Sequence, residues 1–332
     1  MTGRGGMMLA VTVGVALAAA VLLSADLGAA LDATASAGWA VLAVSLYRTV
    51  PLLFDTLGWR ALLSAPRPGL AALLRARWIG ESVNTLLPVA QVGGDVARAR
   101  LLALLGTPTA AAGASVLVDF TLGLVAQLLF TALGIALLLA LVPWQGEAAP
   151  GLVGLAAAVA AVVLLVLAQR RGWLGRIAAK LARFAGRGLA RFAAGAAALD
   201  REAAQLHGRP AALAACIGWR LIGWFARGFE TWLILYALGM PVGPAEALVI
   251  ESLSYFARSI AFAIPGALGA QEGAILLVAG LLGIPPEAAL ALALAKRLRE
   301  VAVSAPGLLA WALTERRGLA ALGGLGRGPA KP

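Results

Sequence analysis

One cysteine and one histidine in 332 residues remove most familiar chemistry from this chain. Cys216 alone cannot close an intramolecular disulfide, and His207 alone cannot supply the clustered ligands of a metal centre or a histidine acid–base relay. Charge is scarce as well: 13% of residues are ionisable, against about 25% in a soluble domain. What is present is apolar surface, 61% of residues with a mean hydropathy of +0.90. A helical span uses roughly 20 apolar residues, so the composition fits one all-α polytopic membrane bundle. The 27 Lys and Arg against 16 Asp and Glu leave a net charge of +11. Such an excess suits either nucleic acid or a membrane face, and its placement along the chain decides between them.

The amino terminus, Arg4 followed by the apolar run Met7 to Leu23, has two readings. A secretory signal would be cleaved near Ser24-Ala25, but the run exceeds the roughly 7–15 residues of a signal core. A retained first helix is preferred. Full spans are expected at about 7–24, 38–57, 111–141, 152–169, 211–239 and 288–313. The loops at 24–37, 142–151 and 240–247 contain no Lys or Arg, whereas 58–77 carries Arg60, Arg67, Arg75 and Arg77, and 170–209 is strongly basic. Alternation of this kind follows the positive-inside rule with both termini cytoplasmic.

The alternation closes only if two further apolar stretches, 78–105 and 246–283, enter and leave on one side. Each is interrupted by proline and clustered glycine, and each contains acids. We therefore expect about six full transmembrane helices plus two re-entrant broken-helix hairpins. The order of span, span, hairpin, span occurs twice with opposite orientation, an inverted repeat covering about 7–141 and 152–313 within one transmembrane domain. Folds of that kind place a site near the midplane, where discontinuous helices meet. The residues give modest support: Pro88 precedes Asp95, and Pro265 precedes Glu272, by the same seven positions across a glycine-containing break. Glu81-Ser82 and Glu251-Ser252 precede them at unequal distances. The linker 170–209, with Leu174, Ile177, Leu181, Phe184, Leu189 and Phe192 among its basic residues, reads as an amphipathic helix on the anionic cytoplasmic leaflet, with 314–332 as a cytoplasmic tail. A nucleic-acid role is excluded, because membrane spans bracket the segment.

Ionisable groups at hydrocarbon depth cost an estimated 2.5–3.5 kcal/mol each on insertion scales, which makes them functional candidates. Asp95 stands where it could cap a half-helix starting after Gly93-Gly94, or line a hydrated cavity. Glu272 holds the matching place after Gly269. A carboxylate at a helix start weakens phosphate attraction there, so a cationic headgroup, a proton or a hydroxyl-bearing ligand is favoured at these two points. On the last span Lys296, Arg299 and Glu300 share a face, with Arg297 beside them and Glu272 the nearest acid. Arg220, Arg227 and Glu230, and likewise Arg48 and Asp55, line one side of their spans and read as intramembrane ion pairs; Asp119, Glu251 and Arg258 could pair or bind. Trp39, Trp59, Trp78 and Trp144 lie near span ends and read as interfacial belts. His207 reads as solvated or lipid-facing, and Cys216 as a packing residue.

The run from Trp78 through Glu81, Asn84, Pro88, Gln91 and Gly94 to Asp95 resembles the signature of the lysylphosphatidylglycerol synthase transmembrane region family, also called the flippase-like domain. Ile264-Pro265 through Gly269, Gln271, Glu272 and Gly273, followed by Leu294 to Arg297, is similar to its second patch. Within that family the chain most closely resembles the hopanoid-biosynthesis-associated branch. The resemblance implies lipid handling at the bacterial inner membrane. The chain ends soon after its last span, so the aminoacyltransferase domain of two-domain members, and hence lysylphosphatidylglycerol synthesis, is not carried over.

The leading expectation is thus a lipid translocator that is not an enzyme and needs no metal or cofactor. Its partners would be a hopanoid or phospholipid and, through the basic linker, an anionic lipid surface; a homo-oligomer is compatible. The candidate binding residues are Glu81, Asn84, Pro88, Gln91, Gly94, Asp95, Arg258, Pro265, Gly269, Gln271, Glu272, Lys296, Arg297, Arg299 and Glu300. The alternatives are a non-catalytic accessory of lipid biosynthesis and a membrane-embedded lipid-modifying enzyme. An enzyme would need an activated nucleophile, base or metal cluster.

Overall fold

Helix starts and stops are written in proline and glycine. In the computed structural model, which describes residues 43–325 apart from 45, 65–66, 88–91, 143–148, 174–175, 177–194, 241, 262–263 and 265–266, every described element is helical. The helices are α1 (Thr49–Leu62), α2 (Leu70–Leu86), α3 (Gly93–Leu104), α4 (Thr109–Leu141), α5 (Ala149–Arg170), α6 (Pro210–Ala237), α7 (Pro244–Ile260), α8 (Ala270–Leu281) and α9 (Pro286–Leu325). Residues 195–207 form a further helical stretch. Pro210, Pro244 and Pro286 sit at first helical positions, where the missing N–H is no loss.

Both glycine-broken stretches are indeed interrupted. The first ends α2 at Leu86 and restarts as α3 at Gly93; the second ends α7 at Ile260 and restarts as α8 at Ala270. The two units match in detail. α2 and α7 each have 17 residues, and α3 and α8 each have 12. Both short helices end on a left-handed glycine, Gly106 at φ 95° and Gly283 at φ 75°. The Thr107 N–H closes onto the Leu102 carbonyl at 3.3 Å and the Ile284 N–H onto Ala279 at 2.9 Å, the same six-to-one cap. Four residues later in the chain α4 or α9 has begun.

Packing repeats this correspondence. α2 lies on α3 and α7 on α8; α3 then packs on α4, and α8 on α9. Across the units α1 lies along α6, α2 packs on α9, and α7 packs on α4. Each half has its own apolar core. Trp59, Leu73, Ile79, Val83 and Leu102 fill the first, and Leu235, Ile250, Ile275 and Leu292 fill the second. Among the described residues α4 is the helix long and apolar enough to cross a bilayer by length and composition. α6 and α9 have the length but carry several ionisable side chains.

Three expectations change. The basic loop expected at 58–77 is mostly helix, since α1 runs to Leu62 and α2 starts at Leu70. Trp59 is not interfacial: it is fully buried, its indole donating to Ser115 at 3.2 Å, and the Trp78 indole donates inward to the Val303 carbonyl at 2.8 Å. His207 is buried rather than solvated, its ring 2.8 Å from the Ala203 carbonyl, because Leu199, Ala203 and Leu206 pack with Leu62 and Val118. The first span, Trp39, Trp144 and residues 174–175 and 177–194 of the amphipathic linker fall outside the described residues.

Candidate functional site

The tightest point of the first hairpin is glycine against glycine. A Cβ on Gly94 would lie 1.9 Å from the Gly80 carbonyl oxygen, and the Gly94 N–H donates to Asn84 Oδ1 at 2.7 Å. Gly94→Ala should therefore splay α2 from α3, with a loss of about 1–3 kcal/mol from overpacking against backbone, read as a lowered thermal midpoint. In the second hairpin the corresponding tie is a charge-assisted hydrogen bond. Arg258 donates to Gln271 Oε1 at 2.6 Å, at positions that match Asn84 and Gly94 when the two units are laid helix on helix.

Between the hairpins lies a cavity of about 590 Å³. Its wall draws on α1 to α7 and α9, and seven arginines face it: Arg48, Arg77, Arg98, Arg220, Arg227, Arg258 and Arg299. Four acids line it, Asp55, Glu81, Asp95 and Glu300, with Trp78, Trp224, Tyr255 and Phe120 among the less polar residues.

The charges are held by acids inside the bundle. Asp119, fully buried on α4, receives three guanidinium groups on a single oxygen, Oδ2. Arg98 lies at 2.6 Å, Arg220 at 2.7 Å and Arg77 at 3.0 Å. Asp55 on α1 binds Arg227 and stands 3.6 Å from Arg220. Glu230 on α6 takes Arg299 at 2.5 Å and Arg48 at 3.9 Å. The expected pairing of the second and fifth spans is thus found, with Arg227 and Arg220 reaching Asp55 and Arg48 reaching Glu230. Ring faces support two of the cations: the Arg98 guanidinium sits 4.7 Å over Trp59 and that of Arg227 4.6 Å over Trp224.

Six of the expected site residues, Glu81, Asn84, Asp95, Arg258, Arg299 and Glu300, face this one cavity. Glu300 binds Arg258 at 2.7 Å and Arg297 at 2.8 Å, and Arg297 in turn holds Glu272, the acid sequence proximity had suggested. Glu272 also caps its helix by accepting the Gly269 N–H at 2.9 Å. Lys296 turns away to Glu251, which also accepts the Thr231 hydroxyl at 2.6 Å. Gln271 reaches the cavity only through Arg258. Asp95 does not cap α3, whose N-cap carries no side-chain bond; it pairs with Arg98 at 2.9 Å because one helical turn brings them together. Pro88, Gln91 and Pro265 lie outside the described residues. Sequence reasoning left Arg77 and Arg98 out of the site. Arg77 looked like a loop charge, and the spacing of Arg98 from Asp95 was the signal available for it.

Paired helical hairpins, an apolar exterior carrying Leu129, Val163, Leu277 and Leu309, and an interior lined by fixed charge define a helical membrane protein built around a polar cavity. The chain belongs to the family described as lysylphosphatidylglycerol synthase TM region, whose model matches residues 7–307. No significant match was found among curated proteins or among solved structures.

Proposed function

We propose that the chain is an inner-membrane lipid translocator whose cavity receives a polar headgroup while the tails stay in the bilayer. The observation that carries this reading is the cavity itself: fixed charges inside a bundle that belongs to the lysylphosphatidylglycerol synthase TM region family. Buried pairs of this kind are costly to assemble and seldom improve stability over apolar packing, so a ligand-binding role explains their presence better than structure alone.

A re-entrant, two-fold arrangement accounts for the rest. Helices of 12 residues, such as α3 and α8, extend about 18 Å, short of a hydrocarbon core of about 30 Å. The equal helix lengths, the shared glycine caps and the exchange of α2–α9 for α7–α4 contacts support an inverted repeat. Rocking one repeat against the other would expose the cavity to each leaflet in turn. The basic linker, anchored on the cytoplasmic surface, fixes which leaflet is which. A triterpenoid of the hopanoid class and a glycerophospholipid are both candidate cargoes.

Reconstitution into vesicles with fluorescent-headed lipids and an impermeant quencher tests the reading. The chain should raise leaflet exchange about tenfold or more over protein-free vesicles. Ser259→Trp, which places a large ring in the cavity beside Gln127, should return exchange to background while the protein stays folded. Unchanged exchange in folded Ser259→Trp would remove the cavity from the path. A lipid product of altered mass would instead make the chain an enzyme.

A further inference from the structure

The charges around the cavity do not balance. Among the described residues its seven arginines are met by the four lining acids and by Asp119 and Glu230 behind the wall, leaving one positive charge over. Adding Arg297 with its partner Glu272 leaves the surplus as it was. Arginine cannot shed its proton in a protein, so the surplus cannot be relieved by titration. Protonating a carboxylate would only enlarge it. In a low-dielectric bundle a lone fixed charge calls for a counter-charge.

At one end the fully buried acids are outnumbered two to one. Arg77, Arg98, Arg220 and Arg227 share two fully buried acids, Asp55 and Asp119, while Asp95 and Glu81 stand at the partly exposed rim. Asp119 spreads one oxygen over three guanidinium groups, and the Nε–H groups of Arg98, Arg220 and Arg227 have no acceptor among the described residues. The acids present leave donor capacity unused. A fork of planar donors with unmet charge suits an oxyanion with several acceptor oxygens.

Resting on the translocator reading, we propose that the Arg77, Arg98, Arg220 and Arg227 face is a binding subsite for a phosphate-class oxyanion, and that a cargo with a neutral polyol head would bind less well. A phosphodiester carries the single negative charge the cavity lacks. This reverses the preference for a cationic or hydroxyl-bearing group drawn from Asp95 and Glu272, because those two acids are already paired with Arg98 and Arg297.

The test uses the full chain purified in detergent and titrated calorimetrically with dioctanoyl phosphatidylglycerol, neutral dioctanoylglycerol and inorganic phosphate. The anionic lipid should bind about tenfold or more tightly than the neutral one, and Arg98→Gln should erase that difference. Asp95→Asn, which removes the rim carboxylate competing for Arg98, should tighten the anionic lipid several-fold and leave the neutral lipid unchanged; a structural role for Asp95 would not produce tightening. Equal binding of the two lipids by the wild-type chain, or an Asp95→Asn effect of the same sign on both, overturns the subsite. Inorganic phosphate that displaces the lipid at comparable concentration upholds an oxyanion site but assigns it to a soluble anion; failure to compete assigns it to the headgroup. Leaflet exchange in the same preparation separates the two proposals. Exchange without anion preference removes the subsite and keeps the translocator, and tight anionic binding without exchange does the opposite.

Discussion

Asp119→Ala should destabilise the chain by about 3–5 kcal/mol, the cost of stripping the partner from a buried ion pair. Asp119 is fully buried and its Oδ2 is the meeting point of Arg77 on α2, Arg98 on α3 and Arg220 on α6. The substitution leaves three guanidinium groups facing one another with no common acceptor. Because the donors come from three helices that α4 joins at this one atom, the loss should be cooperative, lowering the thermal midpoint and the yield of monodisperse protein together. Asp119→Asn keeps an acceptor oxygen and should fall between wild type and Asp119→Ala. Tryptophan fluorescence during heating in detergent reads both, since Trp59 lies against Arg98. A midpoint for Asp119→Ala within a degree or so of wild type would mean that water, not this carboxylate, carries the arginines.

The parts of this architecture that depend on local chain chemistry were legible in the sequence. Proline and clustered glycine marked both hairpin breaks, and Gly93-Gly94 and Gly269 stand where the short helices begin. The spacing of Lys296, Arg299 and Glu300 placed them on the inner face of α9, where Glu251, Glu230 and Arg258 meet them. The parts that depend on tertiary register were not. Arg77 belonged to an apparent basic loop until α2 was found to begin at Leu70, which turns Arg77 inward beneath Asp119. Asp119 sits within a long apolar run, and nothing in that run says that three arginines converge on it. Trp59 looked interfacial because it ends α1, yet Ser115 and Arg98 enclose it. A similar limit applied to the Glu-Ser pairs: superposing the equal-length α2 and α7 sets Glu251 opposite Arg77, one helical turn away from Glu81.

Charge reversal of a single buried pair carries the second large effect. With α2 laid on α7, and α3 and α4 laid on α8 and α9, Arg77 falls on Glu251 and Asp119 falls on Lys296. Both positions form buried ion pairs across the same two elements, with opposite polarity. If the halves are copies of one unit, this location accepts a pair of either sense, and selection has fixed one sense in each copy. Glu251→Lys should then be severely destabilising, by about 3–5 kcal/mol or more, because two ammonium groups face each other out of water. Glu251→Lys combined with Lys296→Glu restores one cation and one carboxylate across the helices, and the Thr231 hydroxyl that donates to Glu251 can accept from a lysine instead. The double variant should recover more than half of the loss, a coupling well beyond the few tenths of a kcal/mol expected of independent sites. Thermal midpoints of the wild type, both single variants and the double variant form a complete cycle. Additive losses in that cycle would show that polarity here is fixed by the surrounding field of Arg299 and Glu230, and the equivalence of the two halves would then stop at the backbone.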